Sequence, residues 1–321
     1  MEREDINRCL FEALEKKVPD KTKLVKILMK TLFMEKGAVY RRLREEVPFS
    51  FFEVVKIAKK LDIALNSLVC SDSVKVDHFV LNIVEYSKMS EVDYKEWENY
   101  ISLLSLAKDD SNSEIAESSN VLPISIYAKF DSLSRYFLFK YQYMFSTTEK
   151  RIPYSNLAIS DRLYRIYHSY FDITKNFAKT VYIWDFYIFR YLLADIHFFS
   201  GINLISVDDI RQIKEDLFAL LDYIEDITLN GCFKETGNSV SFYISDINLD
   251  ADYSYLQFND MNISHVRTFM LNSVVSSDDT SFIKIKDWIQ SLKKTSTLIT
   301  RSGAVFRTDF FDSQRKIIDK L

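Results

Sequence analysis

A chain of 321 residues with only 5 glycines and 4 prolines has few places to turn sharply. Gly supplies the positive-φ conformations of tight turns and Pro presets others, so their scarcity disfavours a many-turned β protein and favours helices. It also argues against one kind of site. A Gly-rich loop able to cradle phosphate at a helix N-terminus is not to be assembled from five scattered glycines.

The apolar content fits a folded body. Hydrophobic residues make up 47 % and charged residues 27 %, enough to bury a core and too apolar for a disordered chain. The length allows two or three domains. The opening "MEREDINRCLFEALEKK" is charged throughout and lacks the apolar centre of a signal peptide. The greasiest run, "VYIWDFYIF" (181–189), is short and carries Asp185, so no membrane span is expected. Cys9, Cys70 and Cys232 are odd in number and scattered, which fits a reduced, cytoplasmic protein.

Charge is unevenly placed. Residues 21–60 hold 11 Lys and Arg against 4 Glu, a local balance of +7 in a chain of net −4, leaving −11 for the remainder. A basic module on an acidic body is the pattern of a protein that meets a polyanion.

The basic module reads as five helices. Ile6, Leu10, Leu14 and Val18 step by four along a first helix that Pro19 ends. Thr22 is the expected N-cap of a second, with Leu24, Val25, Ile27, Leu28 and Leu32 inward. A third spans about 35–45. Ser50 followed by Glu53 is a capping-box spacing that opens a fourth through Leu61, and a short fifth covers 64–69.

Within this module, residues 28–43 have the layout of a helix-turn-helix. Leu28 and Leu32 brace the second helix, Met34 packs from the turn, and Glu35 complements a helix N-terminus. Ala38 and Val39 make a small inner face, while Lys36, Gly37, Tyr40, Arg41 and Arg44 project outward. The following "AVYRRLREEVPFSFFEVVKIAKKLDIALNSLV" continues the pattern, with Ile57, Ala58, Leu61, Ile63, Leu65 and Leu68 at apolar positions. The first 70 residues thus resemble the helix-turn-helix domains of the phage repressor/Cro, or xenobiotic-response-element, type. Met29 stands where that family has a small residue, and Phe33 and Asp62 stand where it commonly has Gly. The resemblance implies a helix that enters the major groove of double-stranded DNA. Arg41 and Tyr40 are then expected to read bases, with Gly37 permitting close approach and Lys23, Lys36 and Arg44 holding phosphates.

The rest of the chain is expected to be mainly helical. A polar connector at 70–76 sets a first boundary, 77–107 has helical pattern, and the Ser-rich 108–120 reads as a linker. A long aromatic helical region follows from Pro123 to about Ile227. After Gly231, "NSVSFYISD" and "YSYLQF" have strand composition, "NISHVRTFMLNSVV" fits a strand or a helix and is read as a strand, and two amphipathic helices follow. The expected division is therefore 1–70, a helical dimerisation or sensing region at 77–230, and a small α+β part at 231–321.

Catalysis finds little support. His78, His168, His197 and His265 show no metal-type spacing, and no GxSxG elbow is present, so neither an enzyme nor a metal or other cofactor is expected. Residues 164–199 are dense in aromatics, a composition that fits core and dimer interface as well as a pocket lining, with Asp185, Arg190, Asp195 and His197 among them. Buried charges must be paired or bind something, which makes Tyr182, Trp184, Arg190 and His197 candidates for an effector pocket. The expectation is a homodimeric DNA-binding transcriptional regulator, with a small molecule or protein as a possible effector. The alternative is a scaffold that keeps the helix-turn-helix fold without DNA affinity.

Overall fold

The computed structural model describes residues 3–61, 63, 79–145 and 151–321. The chain divides into two compact units, Met1–His78 and Phe79–Leu321.

The first unit contains α1 (Arg3–Lys17), α2 (Lys21–Leu32), α3 (Lys36–Leu43) and α4 (Phe51–Leu61). Their apolar stripes converge on a core of Leu10, Leu14, Val18, Leu24, Val25, Leu28, Leu32, Val39, Val54, Ile57 and Ala58, closed by Phe49 and Ile63. Asp20, rather than Thr22, caps α2, its carboxylate accepting from Thr22 N at 2.8 Å and Lys23 N at 3.2 Å. The Ser50/Glu53 box at the start of α4 is reciprocal, as its spacing predicts. The fifth helix expected at 64–69 lies outside the described residues.

The second unit corrects the expectation of a mainly α protein with a small α+β end. Its helices are α5 (Glu91–Leu104), α6 (Ile124–Tyr127), α7 (Asp131–Phe145), α8 (Asp161–Thr174), α9 (Ile188–Gly201), α10 (Val207–Asn230), α11 (Asp279–Leu292) and α12 (Ala304–Ile318). They surround one eight-stranded mixed sheet of order β1-β7-β6-β5-β2-β3-β4-β8. The strands are β1 (Val80–Asn82), β2 (Glu114–Ser119), β3 (Lys179–Asp185), β4 (Ser239–Ser245), β5 (Tyr253–Phe258), β6 (Met261–Thr268), β7 (Asn272–Ser276) and β8 (Ser296–Leu298). The pairs β2–β3 and β3–β4 are parallel and the others antiparallel.

Three expectations fail here for physical reasons. The linker expected at 108–120 contains β2, a central strand whose polar sequence "EIAESS" hides its position. The helical region expected from Pro123 to Ile227 contains β3, and the one at 77–107 contains β1. "KTVYIWD" is apolar on both faces because both are covered, so it lacks the period of two that marks a half-exposed strand. The division at 230/231 also fails, since β2 and β3 share the sheet with β4 to β8. What Gly231 does mark is the end of α10, at φ +69°.

The sheet sorts its residues by alternation. One face carries Ala116, Val181, Ile183 and Tyr255 against Phe282, Ile289 and Leu292 of α11. The other carries Tyr182, Trp184, Val240, Phe242 and Ile244 into the large core made with α7, α9, α10 and α12. Farther along the same face, Ile115, Leu256, Phe258 and Ile263 pack with Leu104 of α5 and Tyr170 of α8. Between these two apolar regions, the same face becomes polar.

Candidate nucleic-acid interface and interior cavity

In the first unit, α2 and α3 are joined by Phe33, Met34 and Glu35. Phe33 adopts φ +56° and ψ +46°, and its ring is 88 % exposed. The amides of Phe33 and Met34 both reach the Met29 carbonyl, a left-handed termination that favours glycine. The sequence departure therefore falls on a backbone position where the side chain is tolerated rather than required.

Val39 is fully buried on the inner side of α3, and Ala38 and Leu43 are half-buried. Lys36, Gly37, Tyr40, Arg41 and Arg44 are all exposed, as is Lys23 on α2. The Lys36 ammonium and the Arg44 guanidinium each lie 5.8 Å from the centre of the Tyr40 ring, gathering two cations around it. A Cβ added at Gly37 would meet nothing within 4 Å, so the backbone there is open on its outer side.

Two contacts temper this edge. Arg41 Nε lies 3.6 Å and Arg44 Nη1 3.7 Å from the Glu46 carboxylate, beyond good hydrogen-bond distance and exposed on both sides. Such pairs are worth about 0–1 kcal/mol. Arg42 has a different role. Its guanidinium makes a two-pronged contact with Glu53, Nη2 to Oε1 at 2.9 Å and Nε to Oε2 at 3.1 Å, with both side chains largely buried. Burial alone would raise the Glu53 carboxyl, but the Arg42 hydrogen bonds and the Ser50 amide hold it below the usual range. This pair ties α3 to α4.

In the second unit, a cavity of about 310 Å³ opens over the polar stretch of the sheet. Its floor follows from register. Glu117 of β2, Ser254 of β5, His265 of β6 and Val275 of β7 stand opposite one another across four strands. Opposed residues project to the same face, so the row is contiguous. Arg267, two residues beyond His265, joins the floor beside Asp252.

The walls are aromatic: Trp97 and Tyr100 from α5, Tyr167 and Tyr170 from α8, and Tyr127 from α6. Trp97 meets Tyr170 edge-on at 5.8 Å, and the Tyr100 and Tyr170 rings stack at 6.4 Å with 20° between planes. The segment bearing Tyr86 is pinned by Asn272, whose Oδ1 accepts from Val84 N at 2.8 Å.

The floor is electrostatically unusual. Glu117 is only 7 % exposed, and the Ser125 hydroxyl donates to its Oε2 at 2.5 Å. Burial outweighs that bond and the nearby Arg267 guanidinium, pushing the carboxyl up to about 7. Asp252 accepts from the Asn120 amide at 2.7 Å and pairs with Arg267 Nε at 2.9 Å. It too is raised by burial. His265 is pushed down to about 4 by burial, so it is neutral near pH 7, within 3.4 Å of Ser254 Oγ and of Tyr100 Oη. A shifted carboxyl inside a concave aromatic site is a pattern associated with ligand binding.

The effector residues expected from sequence do not come together. Tyr182 and Trp184 are buried on β3, whereas Arg190 and His197 are exposed on α9. Asp185 is satisfied by the amides of Tyr187 at 2.7 Å and Leu249 at 2.9 Å, and Asp195 pairs with Lys140. Glu117, Asp252 and Arg267 carry no local signal in the sequence, and His265 stands isolated there. Their meeting depends on strand register between residues up to 150 apart, for which no local pattern exists.

Comparison with protein-family models, curated proteins and solved structures finds no match for this chain. Among the described residues, no helix is long and apolar enough to cross a membrane, and no cluster of three or more His, Cys, Asp or Glu could hold a metal ion.

Proposed function

We propose that the chain is a cytoplasmic DNA-binding transcriptional regulator, in which α2 and α3 act as a helix-turn-helix and the second unit dimerises or senses an effector. The supporting observation is the outer edge of α3, where Lys36, Tyr40, Arg41 and Arg44 are exposed together while Val39 anchors the opposite side. An α-helix with that division fits the major groove, its cations able to meet base edges and phosphates. The +7 balance of residues 21–60 supplies the sequence-independent attraction. In a two-fold dimer, half-sites would lie about one helical turn apart.

Arg41 and Tyr40 are assigned to bases, and Lys23, Lys36 and Arg44 to phosphates. Selection from a random duplex library with the full chain, followed by binding titrations, tests the assignment. Arg41→Ala should cost about 1–3 kcal/mol on the selected site and little on unrelated duplexes, whereas Lys36→Ala should weaken both alike. Equal losses for the two variants on both kinds of duplex would remove Arg41 from base readout.

The scaffold reading draws on the Arg41 and Arg44 contacts to Glu46. It predicts that Glu46→Gln leaves nucleic-acid affinity absent. A regulator instead gains affinity when the competing carboxylate is removed.

A further inference from the structure

Two side chains of the cavity keep hydrogen-bonding capacity that the protein does not use. Glu117 accepts the Ser125 hydroxyl on Oε2, and its Oε1 accepts no hydrogen bond among the described residues. Arg267 meets Asp252 through Nε, and its Nη1 and Nη2 donate no hydrogen bond among the described residues. A third group, the buried Tyr167 hydroxyl on the cavity wall, also has no hydrogen-bond partner among the described residues. The buried Tyr167 hydroxyl is costly unless something satisfies it, while Glu117 and Arg267 line the open cavity, where a ligand can reach their unused atoms.

These groups restrict the ligand. A compound bearing only a carboxylate would face Glu117, Asp252 and Glu96 with a single guanidinium, already paired, to receive it. An amine would sit beside that guanidinium. A neutral edge with one donor and one adjacent acceptor suits a carboxyl oxygen and a guanidinium that line the same cavity. The flat walls of Trp97, Tyr100 and Tyr170 call for a planar body, and about 310 Å³ is at the small end of ligand sites.

We propose that this cavity binds a planar nitrogen heterocycle of one or two rings that presents a lactam edge, its ring N–H to Glu117 and its carbonyl to Arg267. The ring lies against the Trp97, Tyr100 and Tyr170 wall. Burial places the Glu117 carboxyl at about 7, so near neutrality it exists in both forms. The ionised form is the one that accepts the ligand N–H. The site is independent of whether the helical unit binds DNA.

Uracil and hypoxanthine are the probes, with 1,3-dimethyluracil and 1-methylhypoxanthine as counterparts lacking the lactam N–H, and tyramine as a planar amine. Thermal shift and calorimetric titration on the full chain read binding. Uracil or hypoxanthine should raise the melting temperature with concentration, and the methylated counterpart and tyramine should bind about tenfold more weakly or not at all. In Glu117→Gln, Ser125 holds the amide oxygen and the NH2 then opposes the ligand N–H, so affinity should fall about tenfold or more. Arg267→Lys, which keeps a charge for Asp252 but loses both Nη donors, should do the same.

The proposal is overturned if neither lactam binds at millimolar concentration. It is equally overturned if the methylated compounds or tyramine bind as tightly, or if folded variants bind undiminished. Should a variant fail to fold, the comparison of each lactam with its methylated counterpart on the unaltered protein decides the matter.

Discussion

Replacing Glu117 with Gln should change how the stability of the second unit depends on pH. The carboxyl is 7 % exposed and stands at about 7 in the fold, against an ordinary value of 4.5. A folded-state pKa raised above the unfolded one gives stability that is fully present below about pH 4.5 and is lost as pH rises through about 7. One step in pKa is worth about 1.36 kcal/mol, so the gap corresponds to about 3 kcal/mol of stability lost between pH 4.5 and 8.5. Gln keeps the side chain's shape and the Ser125 hydrogen bond but cannot ionise. Asp252 and His265 also titrate differently in the fold, Asp252 raised and His265 lowered by burial. Both are present in the two proteins, so the difference between wild type and variant isolates Glu117. Urea unfolding of each protein at pH 4.5, 7 and 8.5 measures it. The Gln variant should gain on the wild type by about 3 kcal/mol from the lowest to the highest pH. A difference that stays constant with pH would mean that the carboxyl is solvated through the cavity, and the electrostatic account of the floor would be wrong.

Other expectations concern the first unit. Phe33→Gly should stabilise it by about 1 kcal/mol, because φ +56° costs an L side chain and the exposed ring returns little beyond a 5.9 Å approach of Lys56; thermal unfolding checks this. Arg42→Ala should destabilise it by about 2 kcal/mol, since Glu53 would lose a largely buried partner. The companion Glu53→Gln should cost less, as the Gln oxygen still accepts from Arg42, and urea unfolding of both variants measures the difference.

How much of this was legible depended on the range of the interactions. The helices of the first unit were legible because each carries its own signals: Leu10, Leu14 and Val18 at a spacing of four, and the Ser50/Glu53 box. The apolar inner side and cationic outer side of α3 likewise follow from positions within one short helix. After Gly231, β4 and β5 showed through their β-branched and aromatic composition, whereas the single segment expected at 262–275 forms two strands, β6 and β7, and the three-residue β8 is too short to leave a pattern. Strand β2 did not. Its Glu and Ser residues are those of a linker, and only pairing with β3 and β5, 65 to 143 residues away, makes it a central strand. Strand β3 was hidden for the opposite reason, since burial on both faces erased its alternation. The cavity inherits both difficulties, because Glu117 lies on β2 and its neighbours on β5 and β6.

Under the proposed function, the outer edge of α3 holds a DNA duplex. Titration of the full chain against its library-selected duplex across a series of salt concentrations tests it most directly. With Lys23, Lys36 and Arg44 on phosphates, log affinity should fall linearly with log salt at a slope of about −3 per DNA-binding unit. Removing Lys36 should flatten that slope by about 1. A library that yields no enriched duplex, or an affinity indifferent to salt, would contradict the account.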